Sequence, residues 1–198
     1  MKKLTSLLFC SVLISGCSSP EDMTDENFTI AINEQLAKQC ISLKLPYDLK
    51  KWPMSVVLAQ APPKAVQPFL DAGLVNEQDT TVEVRTWRGT VKGEEPGKKY
   101  DLTELGKQYF DAKQDGFCVG NGKVEKIEFY TQKDTNLYTG LPMTKVSYMR
   151  VVENIPEWTK TPSLQEKFPL LKELDVPQQK NEVLVLTSAG WKDIDEIK

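Results

Sequence analysis

Three groups of carboxylates in this chain could set two acids against one bond: Glu94 with Glu95, Asp101 with Glu104, and Asp193 with Asp195 and Glu196. Two such groups, one protonated and one ionised, are enough for hydrolysis of the glycosidase type. Most other chemistry is closed off because the chain contains no histidine. That absence removes Ser-His and Cys-His nucleophiles, His-containing metal sites and the commonest general acid or base. Gly-x-Ser-x-Gly, Ser-x-x-Lys and phosphate-loop sequences are missing too, and Lys160-Thr161 runs into Pro162 where a Lys-Thr-Gly element needs glycine.

Each carboxylate group also has a role that needs no substrate. Glu94 and Glu95 stand beside Pro96 and Gly97, a composition that predicts a solvated hairpin tip. Asp101 and Glu104 fit a helix start, with aspartate as the cap and an acid three residues on. Asp193, Asp195 and Glu196 lack the glycine and further oxygen ligands of an EF-hand loop. The expectation is a chain without catalytic residues, metal site or cofactor, and so not an enzyme.

Aromatic residues offer contact rather than reaction. A tryptophan removes much apolar area from water at little rotamer cost, which suits cores and binding hot spots alike. Trp52, Trp87 and Trp191 are expected in the core. Trp158, after Ile155-Pro156-Glu157, and Tyr138, near Gly140 and Pro142, have loop-forming neighbours and are the expected contact residues for a partner or ligand.

The opening of the chain carries an address. Lys2 and Lys3 form a basic n-region and Leu4 to Ile14 an apolar run of signal-peptide length, too short for the ~20 residues that span a bilayer. Ile14-Ser15-Gly16-Cys17 resembles the lipobox of bacterial lipoprotein precursors. The resemblance implies a signal peptide over 1–16 and a mature chain that begins at Cys17, carrying acyl chains of the palmitate kind. Each buried methylene is worth ~0.8 kcal/mol, so several chains anchor firmly where one does not. Ser18, in place of aspartate, implies the outer membrane, with the domain facing the periplasm. Cys10 then leaves with the signal and Cys17 carries lipid, so Cys40 and Cys118 are left and are expected to pair in an oxidising compartment. The chain is net acidic, with no basic block for nucleic acid or for anionic lipid. Membrane attachment is therefore expected through the lipid on Cys17 alone.

The elements that must carry these residues follow from spacing and breakers. Residues 17–23 read as a polar tether and 24–198 as one α+β domain, divisible at most into a helix and hairpin part (24–115) and a sheet part (116–198). Phe28, Ile32, Leu36 and Cys40 recur at helical spacing behind Thr24 or Asp25 as cap, which predicts a helix that turns Cys40 inward. Residues 45–63 read as a proline-punctuated connection. A short helix follows, ending at Gly73 in a left-handed position with Leu74 folded back on Phe69. Next come a hairpin with its charged tip at 93–98 and a further helix. Leu70, Gly73, Leu74 and Val75, then Tyr100, Leu102, Thr103 and Gly106, resemble the winged-helix pattern over 63–113. DNA reading does not carry over, because the would-be recognition helix has prolines in it and Lys64 as its one cation.

After Cys118 the pattern is of strands: KVEKIEFYTQ, MTKVSYMRVVEN and NEVLVLTS. The prediction is an antiparallel sheet of three or more strands, with the 162–174 segment as the helix packed on it. The sequence thus describes a non-catalytic, lipid-anchored envelope protein that binds an as yet unidentified protein partner or small ligand. A carboxylate-type hydrolase and a purely structural envelope component are the alternatives.

Overall fold

The computed structural model describes residues 19–58 and 63–197. Thr24 opens α1 (Asp25–Leu36), its hydroxyl accepting a hydrogen bond from the Asn27 amide and so satisfying a donor that a helix start leaves free. Phe28, Ala31 and Ile32 are the buried face. The helix stops before Cys40, which lies instead at the entry to β1 (Ile41–Lys44). Residues 41–44 gain more as an antiparallel partner of a later strand than as another helical turn.

The expected connection after Leu45 contains a 3-10 turn, Tyr47–Leu49, and a strand, β2 (Met54–Val57). α2 (Pro63–Asp71) then ends as its sequence suggests. Gly73 sits at φ +68°, its amide bonds to the Leu70 carbonyl, and the Leu74 amide reaches back to the Phe69 carbonyl. This is a Schellman stop, closed by packing of Leu74 in the same core as Phe69.

β3 (Val75–Arg85) and β4 (Val91–Leu102) form a long hairpin whose turn is at 86–90, not at 93–98. Gly93, Pro96 and Gly97 read as turn residues but belong to the strand. Gly97 is where β2 and β3 close on β4: a Cβ there would lie 2.5 Å from both the Val56 carbonyl oxygen and a Val82 methyl. Glu94 and Glu95 are consequently strand residues opposite Glu83 and Val82. Asp101 is also in β4, and Thr103 rather than Asp101 caps α3 (Glu104–Tyr109).

The second half begins with β5 (Phe110–Asp111) and the fifteen-residue β6 (Gly116–Tyr130). β7 (Asp134–Thr135), β8 (Pro142–Glu153), α4 (Pro162–Lys167), β9 (Gln178–Thr187) and β10 (Gly190–Asp193) complete the fold. Antiparallel pairing orders the large sheet β1-β6-β8-β9-β10, with β5 on β6 and β7 on β8, while β2-β4-β3 make a separate three-stranded sheet. The α+β class is as expected, but the helix that covers the large sheet is α1, not 162–174. Pro169 splits that later segment into α4, which packs against α2, and a 3-10 turn; both are too short to lie across the sheet, and both join the first core.

Two cores result. One joins Leu43, Phe69, Leu74, Tyr100, Phe117, Val119, Trp158 and Leu164; the other joins Phe28, Ile32, Val124, Val146, Tyr148, Leu184 and Trp191. The boundary at 115/116 separates neither, since the first core draws on both sides of it and α1 belongs to the sheet. Cys40 and Cys118 are bonded across a sequence separation of 78. Closing a loop of that length is worth roughly 4 to 5 kcal/mol in the chain-entropy picture. Cys40→Ser with Cys118→Ser should lower the unfolding free energy in urea by about that much, and an unchanged midpoint would show that the bridge adds nothing.

Candidate functional site

Cys17 and the expected signal peptide over 1–16 lie outside the described residues. Over residues 19–23 the expected tether is held onto the domain. The Asn27 side-chain amide donates to the Ser19 and Asp22 carbonyls at 2.7 and 2.9 Å. Trp191 Nε1 donates to the Asp22 carbonyl at 3.2 Å, and the Tyr130 hydroxyl to the Met23 carbonyl at 3.2 Å. Pro20 packs so closely on Gly190 that a Cβ there would meet it at 3.2 Å. Behind this strap, Phe28 meets Tyr130 and Trp191 edge-on at 4.8 and 5.2 Å, and Lys133 lies 5.6 Å over the Trp191 ring.

The same end of the sheet carries Tyr138. The loop from β7 to β8 is built on Asn136, whose buried side chain accepts hydrogen bonds from the Tyr138 and Thr139 amides, both at 2.9 Å. Its backbone closes the loop as well, with Asn136 N to the Leu141 carbonyl and Gly140 N to the Asn136 carbonyl, both 2.8 Å. Leu137 and Tyr138 stand out from this frame at 94% and 98% exposure.

Trp158 is placed otherwise. It is 5% exposed, in ring contact with Tyr109 and Phe117 at 5.9 and 6.1 Å. Pro156 leads it into a 3-10 turn that drives the indole into the first core, not into the open loop expected from its neighbours. The exposed tryptophan is Trp87, at the hairpin turn, 88% exposed with the Arg88 guanidinium 4.6 Å over its ring. The Trp87-Arg88-Gly89 step was the available cue, masked by the more turn-like composition of 93–98.

The carboxylates regroup in the fold. Glu104 pairs with Lys107 on α3, and Glu196 with Lys38. Asp193 is buried and accepts from the Asp195 amide at 2.7 Å. Its carboxyl partner is Glu182, a residue that sequence spacing does not point to. Glu182 faces inward on β9, two residues before Leu184, which pairs with Asp193. The Tyr148 hydroxyl donates to Glu182 at 3.4 Å. Burial, then the charge of Asp193 and a hydrogen bond shared with it, push the Glu182 carboxyl above the usual carboxylate range. Burial does the same to the Tyr148 phenol. Two acids thus meet, Asp193 buried at 3% exposure and Glu182 half-buried beside it.

The disulfide borders a shallow polar depression. Gln114 Nε2 donates to the Cys40 carbonyl at 3.3 Å and to Asp111 at 3.1 Å, and Lys44 Nζ donates to the Gln114 carbonyl at 2.8 Å. Cys40, Asp111 and Cys118 converge closely enough to ligate a metal, but paired sulfurs offer no thiolate. Among the described residues no helix is long and apolar enough to cross a membrane. Comparison with protein-family models, with curated proteins and with solved structures finds no match.

A raised carboxyl destabilises the fold as pH climbs. Its stabilising proton is held in both states below the unfolded value of 4.5 and is lost from the folded state as pH passes the raised value. Glu182→Gln should therefore be more stable than the parent near pH 7, and the difference should vanish by pH 4. Thermal melts across that range would check it; a constant loss of stability at every pH would show that the carboxyl pair is not strained.

Proposed function

We propose that the chain is a non-catalytic lipoprotein of the bacterial envelope, anchored through acyl chains on Cys17 in the outer membrane and facing the periplasm. The observation that carries this reading is the order basic pair, short apolar run, Ile14-Ser15-Gly16-Cys17. The Cys40 to Cys118 bridge supports it, since such bonds persist in oxidising compartments.

Anchoring is the working principle. Confinement in one layer raises the effective concentration for any partner in that layer, so a weak contact suffices. The partner, another envelope protein or a small ligand, is met by exposed aromatic residues on rigid elements. Trp87 with Arg88 at the hairpin tip takes the place that the sequence assigned to Trp158. The likeness of 63–113 to a winged helix is architectural in this reading, with β3 and β4 as the wing. A carboxylate hydrolase is the second reading because Glu182 and Asp193 do meet; the burial of Asp193 counts against it.

The amino-terminal tryptic peptide of the mature protein should run from Cys17 to Lys38 and carry the mass of a diacylglyceryl group and an N-acyl chain, and Cys17→Ser should leave the precursor unprocessed. Mass spectrometry of the purified protein decides this: an unmodified Cys17, or a peptide continuing into residues before it, contradicts the assignment.

A further inference from the structure

We propose that Leu137 and Tyr138 insert into the headgroup layer of the bilayer that holds the Cys17 lipid, as a second membrane contact that fixes how the domain stands. The proposal rests on the lipoprotein reading above and adds a surface and an orientation to it.

Position is the first argument. Cys17 precedes Ser19 by two residues, and an extended chain covers at most about 3.6 Å per residue, so the Cys17 backbone can be no more than roughly 7 Å from Ser19, whose carbonyl accepts from Asn27. The membrane surface must come as close to the end of the sheet where Ser19 is strapped. That end is formed by the close of β6, the start of β8 and the turn between β9 and β10, against whose Gly190 Pro20 rests. The loop carrying Leu137 and Tyr138 leaves β6 and enters β8 there. Tyr130 at the close of β6 bonds the strap, Lys133 lies over Trp191, and β7 pairs with Pro142 and Met143.

Form is the second argument. These two side chains are not exposed through fraying, because the Asn136 side chain accepts from the Tyr138 and Thr139 amides and the backbone closes twice. A rigid frame that presents leucine and tyrosine almost fully to water keeps apolar area solvated with no packing in return. At a membrane interface the same pair is favourable, since a tyrosine ring places its body among the acyl boundary and its hydroxyl among the headgroups. Phe129, 55% exposed at the same end of β6, adds to the apolar rim.

Charge is the third argument, and it sets the kind of contact. Glu21, Asp22, Asp25, Glu26 and Asp134 are exposed around the strap and loop, against Lys133 and Lys145. Such an end is not drawn to anionic headgroups, so the contact is shallow apolar insertion that anionic lipid does not strengthen, and the acids keep it from going deeper.

The test uses the full acylated protein with Tyr138→Cys, or Leu137→Cys as a second site, carrying a nitroxide. Cys17 is acylated and Cys40 and Cys118 are paired, which leaves the introduced thiol free for the label. In vesicles of phosphatidylcholine and phosphatidylethanolamine, the ratio of oxygen to nickel-complex accessibility at 138 should rise well above that of a label at Lys160→Cys, on the turn beside Trp158 in the other core. Adding phosphatidylglycerol should not change it. Equal, water-like ratios at 138 and 160 with Cys17 acylated would overturn the insertion and leave the lipoprotein reading standing, whereas an unacylated Cys17 would overturn that reading. Shielding at 138 in native envelope membranes but not in the vesicles would show that a protein covers the loop, which also overturns the proposal.

Discussion

β6 is the constraint on which the rest depends. One strand of fifteen residues supplies Phe117 and Val119 to one core and Val124 to the other, and pairs with β1 and β5 over its first part and with β8 over the remainder. Register shifts at Val124/Lys126 and Ile127/Phe129 bend it within the part paired to β8. Neither core can open without unpairing a strand that the other needs. The Cys40 to Cys118 bond is placed on that strand and ties to it the segment between α1 and β1, so the elements on either side of the disulfide loop share one support.

The same strand gives the molecule two unlike ends. At its close stand the strap of Ser19 to Met23, the Trp191 and Tyr130 rings and the loop of Leu137 and Tyr138. At its start stand α2 and the Trp158 segment of the first core, the core from whose Leu74, Val75 and Tyr100 the β3 and β4 hairpin springs, with Trp87 at its tip. Fifteen residues at about 3.3 Å each set these ends roughly 50 Å apart before twist and bulges shorten the span. In the proposed lipoprotein, an anchor at one end would carry a contact surface away from the bilayer at the other. The strap matters here, because a free spacer would allow the domain to tumble and would erase the difference between the ends.

Local rules read well from sequence wherever local physics decides the outcome. Thr24 as cap, the Phe28 and Ile32 face, the Gly73 stop and the three apolar strands all follow from hydrogen-bond supply or side-chain period within a few residues. Long-range pairing hid the rest. Gly97 reads as a turn but is a close approach of three strands, and Pro96 is tolerated because it lies just past the last residue that β2 pairs. Pro156 reads as a loop, yet Trp158 is pulled into an aromatic core assembled from Tyr109 and Phe117, far off in sequence. Glu182 and Asp193 are brought together by the register of β9 on β10, which no spacing rule reveals. An acid on the inward face of an apolar strand was the only trace of that pair.

Neutron reflectometry on the acylated protein, bound to a supported bilayer, measures the central claim that one end of the β6 axis is seated at the membrane. The account predicts a protein layer that begins at the headgroups, with no water gap, and reaches roughly 50 Å into the solvent. A layer about 20 Å thick, the depth of one helix on one sheet lying flat, or a layer separated from the headgroups by water, would contradict it.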